Sequence, residues 1–253
     1  MSDRNHILFT TISFAIIAVL LILSNIFVKE KKNKKFILKL SAILTVIIHF
    51  SSLYVDYFSG REPDVEASML LPLYPCNIAM WTLVIVAFMR NTEGKLFKFL
   101  SVVTFYLGIV GGVLGILINE IYIDNPNLAD WFVLKGLLSH ATMLYGCIYI
   151  VSAGFLKPRV SNMGYVVLGL LMLVADGGIM ILLHVICGQE PRNSMYLLER
   201  PFEALPWINV VTIGIAAIVV IFTVLAIVEQ IALKKEDRWY TKLKAFIESK
   251  KAK

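Results

Sequence analysis

Long apolar runs separated by short charged connections fill the chain from residue 7 to residue 231. A helix needs about 20 apolar residues to cross the hydrocarbon core of a bilayer. Seven runs meet that length, at 7–28, 37–58, 70–89, 96–118, 132–153, 163–185 and 207–231. They predict an all-α fold, a polytopic seven-helix transmembrane bundle over residues 1–236. The remainder, 237–253, reads as a basic amphipathic tail. Trp239, Tyr240, Leu243, Phe246 and Ile247 recur there at helical spacing among lysines, which fits a helix lying on the inner leaflet or a solvated tail. The first run is too long for the core of a signal peptide, and its basic cluster follows it, so an uncleaved span is expected.

Charge in the connections sets a direction. Lys29, Lys31, Lys32, Lys34 and Lys35 follow the first run, Arg90, Lys95 and Lys98 the third, and Lys157 and Arg159 the fifth. The connections between them are acidic or mixed: 59–68 sets Arg61 against Glu62, Asp64 and Glu66, 119–130 is acidic, and the sixth sets Arg192 and Arg200 against Glu190, Glu199 and Glu203. Basic connections stay in the cytoplasm. The alternation predicts an external amino terminus and a cytoplasmic carboxyl terminus.

Composition narrows the class further. The chain is 58% hydrophobic and 17% charged, with a mean hydropathy of +0.76, whereas soluble domains carry about 25% charged residues. The net charge of +6 resides in the connections, which excludes a nucleic-acid partner. Cys76, Cys147 and Cys187 lack the spacing of a disulfide framework or a zinc site. In the fourth run, GIVGGVLG pairs Gly108 with Gly112 and Gly111 with Gly115, a pattern that lets helix backbones approach closely.

Candidate chemistry begins at Leu70–Trp81, LLPLYPCNIAMW. Pro72 and Pro75 break the third run just before Cys76 and Asn77. In lipid such a break survives only where protein or a wet cavity covers the released backbone groups. Counting about 1.5 Å per residue from the outer end of each run puts Cys76 roughly 10 Å deep and His140 roughly 12 Å deep. His49 and Asp176 stand at a similar height. Ionisable groups in a membrane face a cavity or one another, so these four predict a polar layer in the outer half. A Cys–His pair supplies a nucleophile and its base, and acyl transfer is the chemistry it favours. Cys76 is the candidate nucleophile and His140 the general acid–base, with Asn77 or backbone amides freed by Pro75 on the oxyanion. His49 and Asp176 either orient His140, bind a head group or form a structural pair. His184, placed at the outer interface, and Cys147 and Cys187 read as structural. No metal or cofactor is implied. The sixth connection, with Asn193 to Pro201 (NSMYLLERP) and then Pro206 and Trp207, reads as a lid or an interfacial anchor.

The run LPLYPC, a histidine about sixty residues later and N-S-M-Y-L-x-x-x-P before the last helix resemble the YwaF-type bacterial membrane proteins, relatives of the animal transmembrane-protein-164 acyltransferases. The resemblance extends from about the second helix to the seventh. It implies Cys76 and His140 as the catalytic pair, with Asn193, Tyr196 and Pro201 on the late motif. It also implies membrane lipids as partners, a phospholipid donor with a lysolipid or lipid-alcohol acceptor, in the plasma membrane of a bacterium. One departure is Tyr74, where bacterial members commonly carry histidine. Tyrosine keeps a hydrogen bond but is a poor base at neutral pH. Two other readings of the same residues are a transporter or solute-binding protein, since broken helices also mark substrate sites, and a purely structural body.

Overall fold

The computed structural model describes residues 4–60, 71–119, 122–123, 125–200 and 207–251. Leu70, Arg61, Glu62, Asp64, Glu66, Pro201, Glu203 and Pro206 lie outside the described residues. Among the described residues the regular structure is helical throughout: α1 Arg4–Phe27, α2 Lys31–Phe58, α3 Pro75–Phe88, α4 Lys95–Leu117, α5 Trp131–Ser152, α6 Met163–Ile186, α7 Val210–Ala232 and α8 Trp239–Lys251. Six of them are long and apolar enough to cross a membrane. Only 6% of the most apolar stretch of α7 is buried. A helix apolar on all sides and left uncovered by protein belongs in lipid, so the chain is a multi-pass membrane protein.

The third predicted span differs from expectation. It forms a helix only from Pro75 to Phe88, 14 residues or about 21 Å, against a core of about 30 Å. Pro72 and Pro75 cause this. Each lacks an N–H, and each pushes the residue before it out of the α region. Tyr74 accordingly is extended, at φ −130° and ψ 157°, and Pro75 takes the first helical position, where its missing donor costs nothing.

The chain divides into two compact units, Met1–Leu156 and Lys157–Lys253. In the first, α5 packs along α2 and α4, and α3 packs along α4 and α2, so four helices close a ring. α1 lies against α5. Lys34 Nζ donates to Ala153 O (3.1 Å) and Lys35 Nζ to Val86 O (2.7 Å), at the carboxyl ends of α5 and α3. Lys35 also stands 5.1 Å over the Phe97 ring, near the start of α4. At the opposite end His6 on α1 bonds Ile116 O on α4 at 2.8 Å. The five helices therefore alternate in direction. The lysines after the first run thus also hold the bundle together, because cations at helix carboxyl ends satisfy carbonyls and oppose the helix dipole.

In the second unit α6 packs on α7, and the turn Ser194–Tyr196 packs on α6. The carboxylate of Glu229, buried to 3% exposure, accepts from Val160 N (2.8 Å) and Trp239 N (2.9 Å). One side chain thus ties the ends of three elements together.

Candidate functional site

The register between α2 and α5 comes from short polar side chains. Thr45 Oγ1 donates to Thr142 Oγ1 at 3.1 Å, Lys135 Nζ to Ser52 Oγ at 3.0 Å and Trp131 Nε1 to Ser51 Oγ at 2.9 Å. The Thr45–Thr142 and Ser52–Lys135 bonds share one antiparallel register, which sets His49 level with Leu138. His140 is two residues on, about 3 Å along the axis.

Between α2, α3 and α5 lies a cavity lined by Thr45, His49, Cys76, Asn77, Met80, Ser139, His140 and Met143. Its room is about 40 Å³. That holds a water or a reacting carbonyl, since one water needs only about 10–15 Å³ of such space. Of the four residues expected in the polar layer, Cys76, His49 and His140 line this cavity and Asp176 does not; Asn77, the candidate oxyanion donor, lines it too. Tyr74 is not among the lining residues; it stands extended just before α3, 38% exposed.

The fourth side of the ring is glycine. Gly111 and Gly115 on α4 lie under the site. A Cβ on Gly111 would come within 3.1 Å of Cys76 Cα and Cβ, and one on Gly115 would collide with the Cδ2–Nε2 edge of His140. Gly108 and Gly112 face Cys147 and Leu144 instead, both fully packed. One pair of small residues is therefore helix packing, as expected, and the other seats the Cys76 backbone and the His140 imidazole. The two seats are four residues apart on α4, about 6 Å along its axis.

Each group is oriented locally. His140 Nδ1 lies 2.7 Å from Gly136 O. A carbonyl only accepts, so Nδ1 carries the proton and Nε2 presents its lone pair. Ser139 Oγ donates to the same carbonyl at 2.9 Å. Cys76 occupies the second position of α3, where the helix dipole and first-turn N–H groups stabilise negative charge. Asn77 Oδ1 accepts from Tyr74 N at 3.2 Å, which caps α3.

Asp176, Asn193 and Tyr196 belong to the second unit. Asp176 Oδ2 is buried without a hydrogen bond among the described residues. Asn193 organises the late motif: its Oδ1 accepts from Leu198 N (3.0 Å) and Glu199 N (3.1 Å), and its Nδ2 donates to Glu199 O (3.1 Å). Met195 and Tyr196 have positive φ, 53° and 57°, a conformation that costs a side-chain-bearing residue of order 1 kcal/mol and needs support from its surroundings. Gly177 gives part of that support, because its missing Cβ leaves room for Leu197 and Met195. His184, in the last turn of α6, is buried against protein, its Nδ1 bonding Met180 O at 2.8 Å.

Several lining or neighbouring residues were not singled out from the sequence. Thr45 stands one turn before His49, Met80 one turn after Cys76, and Ser139 and Met143 flank His140, so helical spacing alone would have found them. Lys135, His6 and Glu229 are buried; for Lys135 and Glu229 a charge inside an apolar run was the available signal, while His6 stands just before the first run. Among the described residues no three His, Cys, Asp or Glu side chains gather as a metal site.

The model of the TMEM164 family matches residues 1–228, which includes every residue lining the cavity. No curated protein and no solved structure matches the chain.

Proposed function

We propose that this chain, which belongs to the TMEM164 family, is an integral-membrane acyltransferase that moves a fatty acyl chain between lipids through a thioester on Cys76. The observation that carries this reading is one cavity lined by Cys76, Asn77 and His140. His140 Nε2 takes the thiol proton, and the thiolate attacks the carbonyl carbon of a phospholipid ester. The oxyanion accepts hydrogen bonds from Asn77 Nδ2 and from N–H groups at the start of α3. The ester C–O bond then breaks, and His140 returns the proton to the departing lysolipid hydroxyl. An acceptor alcohol gives its proton to His140, attacks the thioester and releases the thiol. With water as acceptor the same site is a lipid hydrolase. The scheme uses no metal and no cofactor.

A room of about 40 Å³ admits an ester carbonyl together with a water or two, since one water needs about 10–15 Å³ of such space. The lipid's chain and head group stay in the bilayer while its ester reaches inward. The proposed setting is the plasma membrane of a bacterium, with the amino terminus outside, the carboxyl terminus cytoplasmic and the donor drawn from the outer leaflet. In this topology α3 and the residues before it make the seventh crossing.

The test follows a labelled acyl chain from phospholipid to lysolipid with wild type, Cys76→Ala and His140→Ala, alongside mass spectrometry of the peptide bearing Cys76. Wild type is expected to transfer the label and to carry an acyl mass that hydroxylamine removes. Equal transfer by all three proteins would overturn the proposal.

A further inference from the structure

The last helix lies beyond the family match, which ends at residue 228, and the acyl-transfer scheme makes no use of it. Its position is set by α7. α7 has 23 residues, about 34 Å, enough for a core of about 30 Å. Glu229, three residues before the end of α7, holds Trp239 N at 2.9 Å. The Trp239 ring meets Phe222 of α7 edge-on, with centroids 5.3 Å apart. Arg238 donates to Leu233 O (3.0 Å) and Gln230 O (2.8 Å) at the end of α7. The first turn of α8 is thereby pinned level with the last turn of a spanning helix, at the head-group boundary.

From that anchor α8 presents a divided surface. At about 100° per residue, Trp239, Tyr240, Leu243, Phe246 and Ile247 fall within a sector of about 120°. Leu243, Phe246 and Ile247 are 47%, 59% and 45% exposed. Lys242 and Lys244 stand about 100° to either side of Leu243, where their stems flank the apolar sector and their ammonium groups reach outward. Lys250, at the far end of the helix, falls inside the same sector and stands 5.8 Å over the Phe246 ring, its ammonium placed to reach outward past the helix end. The back of the helix is Thr241, Ala245, Glu248 and Ser249, and Glu248 is drawn to Lys244 at 3.9 Å. An apolar sector edged by lysines and starting at head-group level complements a sheet of negative head groups over hydrocarbon.

We infer that α8 is an interfacial helix that seats Leu243, Phe246 and Ile247 in a leaflet of anionic phospholipid, with Lys242, Lys244 and Lys250 on the head groups. The full chain is reconstituted in phosphatidylcholine vesicles, in vesicles with part of that lipid replaced by phosphatidylglycerol, and in lipid-free amphipol. Amide hydrogen exchange over residues 243–250 is then measured in each. Exchange is expected to be slower by about tenfold or more in the anionic vesicles than in amphipol, with the excess over phosphatidylcholine erased by high salt. The triple variant Leu243→Ser, Phe246→Ser, Ile247→Ser loses this protection while the amides of α7 keep theirs. Lys242→Gln, Lys244→Gln and Lys250→Gln together remove the difference between the two vesicle types. Equal exchange in all three media, equal protection in both vesicle types, or protection in amphipol that grows with protein concentration, as a second copy would give, each overturns the inference.

Discussion

His140 is oriented by a backbone carbonyl, not by a carboxylate. The Nδ1–Gly136 bond selects the tautomer without adding a negative charge to a site proposed to generate a thiolate. Asn77 has two separable duties. Its Oδ1 caps α3 through Tyr74 N, and its Nδ2 is the proposed oxyanion donor. Asn77→Asp keeps the acceptor and loses the donor. It is expected to melt near wild type while acyl transfer falls by about 10²–10³. Asn77→Ala loses both and is expected to lower stability by about 1 kcal/mol as well. Thermal melting beside the transfer assay separates the two. Tyr74 is not among the cavity-lining residues, so Tyr74→Phe is expected to stay within about threefold of wild-type transfer, within the range of a surface substitution. A larger loss would assign its hydroxyl a direct role.

Among the elements, α4 carries the sharpest contrast, because its two glycine pairs do different work on one helix. Gly108→Ala drives a methyl into Cys147 and is expected to cost about 1–3 kcal/mol of stability by overpacking, with transfer per folded molecule retained. Gly111→Ala meets Cys76 at 3.1 Å, a smaller steric insult. It is expected to melt higher than Gly108→Ala yet transfer more slowly, since small displacements of a nucleophile cost about 10²-fold. Transfer normalised to folded protein, measured on both variants, decides whether the seats are distinct. Lys35 is the corresponding test at the basic end of the bundle. Lys35→Met removes its bond to Val86 O and its place over Phe97, and is expected to lower stability by about 1–2 kcal/mol.

For the molecule as a whole, every residue lining the cavity lies in the first unit. The second unit carries the late motif, whose bonds explain its residues as a folded turn on α6. The proposed topology places Cys187, which is exposed and in no disulfide, at the external end of α6. A membrane-impermeant maleimide on intact cells is expected to label Cys187 and to spare Cys147, which is buried. Labelling of Cys187 only after the membrane is opened would reverse the topology and move the site to the other leaflet.

Much of the fold was legible in the chain because apolar length is a local property. Six long helices, their short connections and the break at Pro72 and Pro75 all follow from runs and breakers read in order. Rise per residue also singled out His49, Cys76 and His140, which line one cavity, together with Asp176, which does not. The sequence alone could not tell that the third run is a 14-residue helix, because proline's effect on a boundary depends on which neighbours cover the freed groups. Nor could it divide the glycines of α4 into a packing pair and a seating pair, or reveal that Lys34 and Lys35 cap other helices. Those facts depend on rotation about each helix axis, which is set by contacts between helices far apart in the chain.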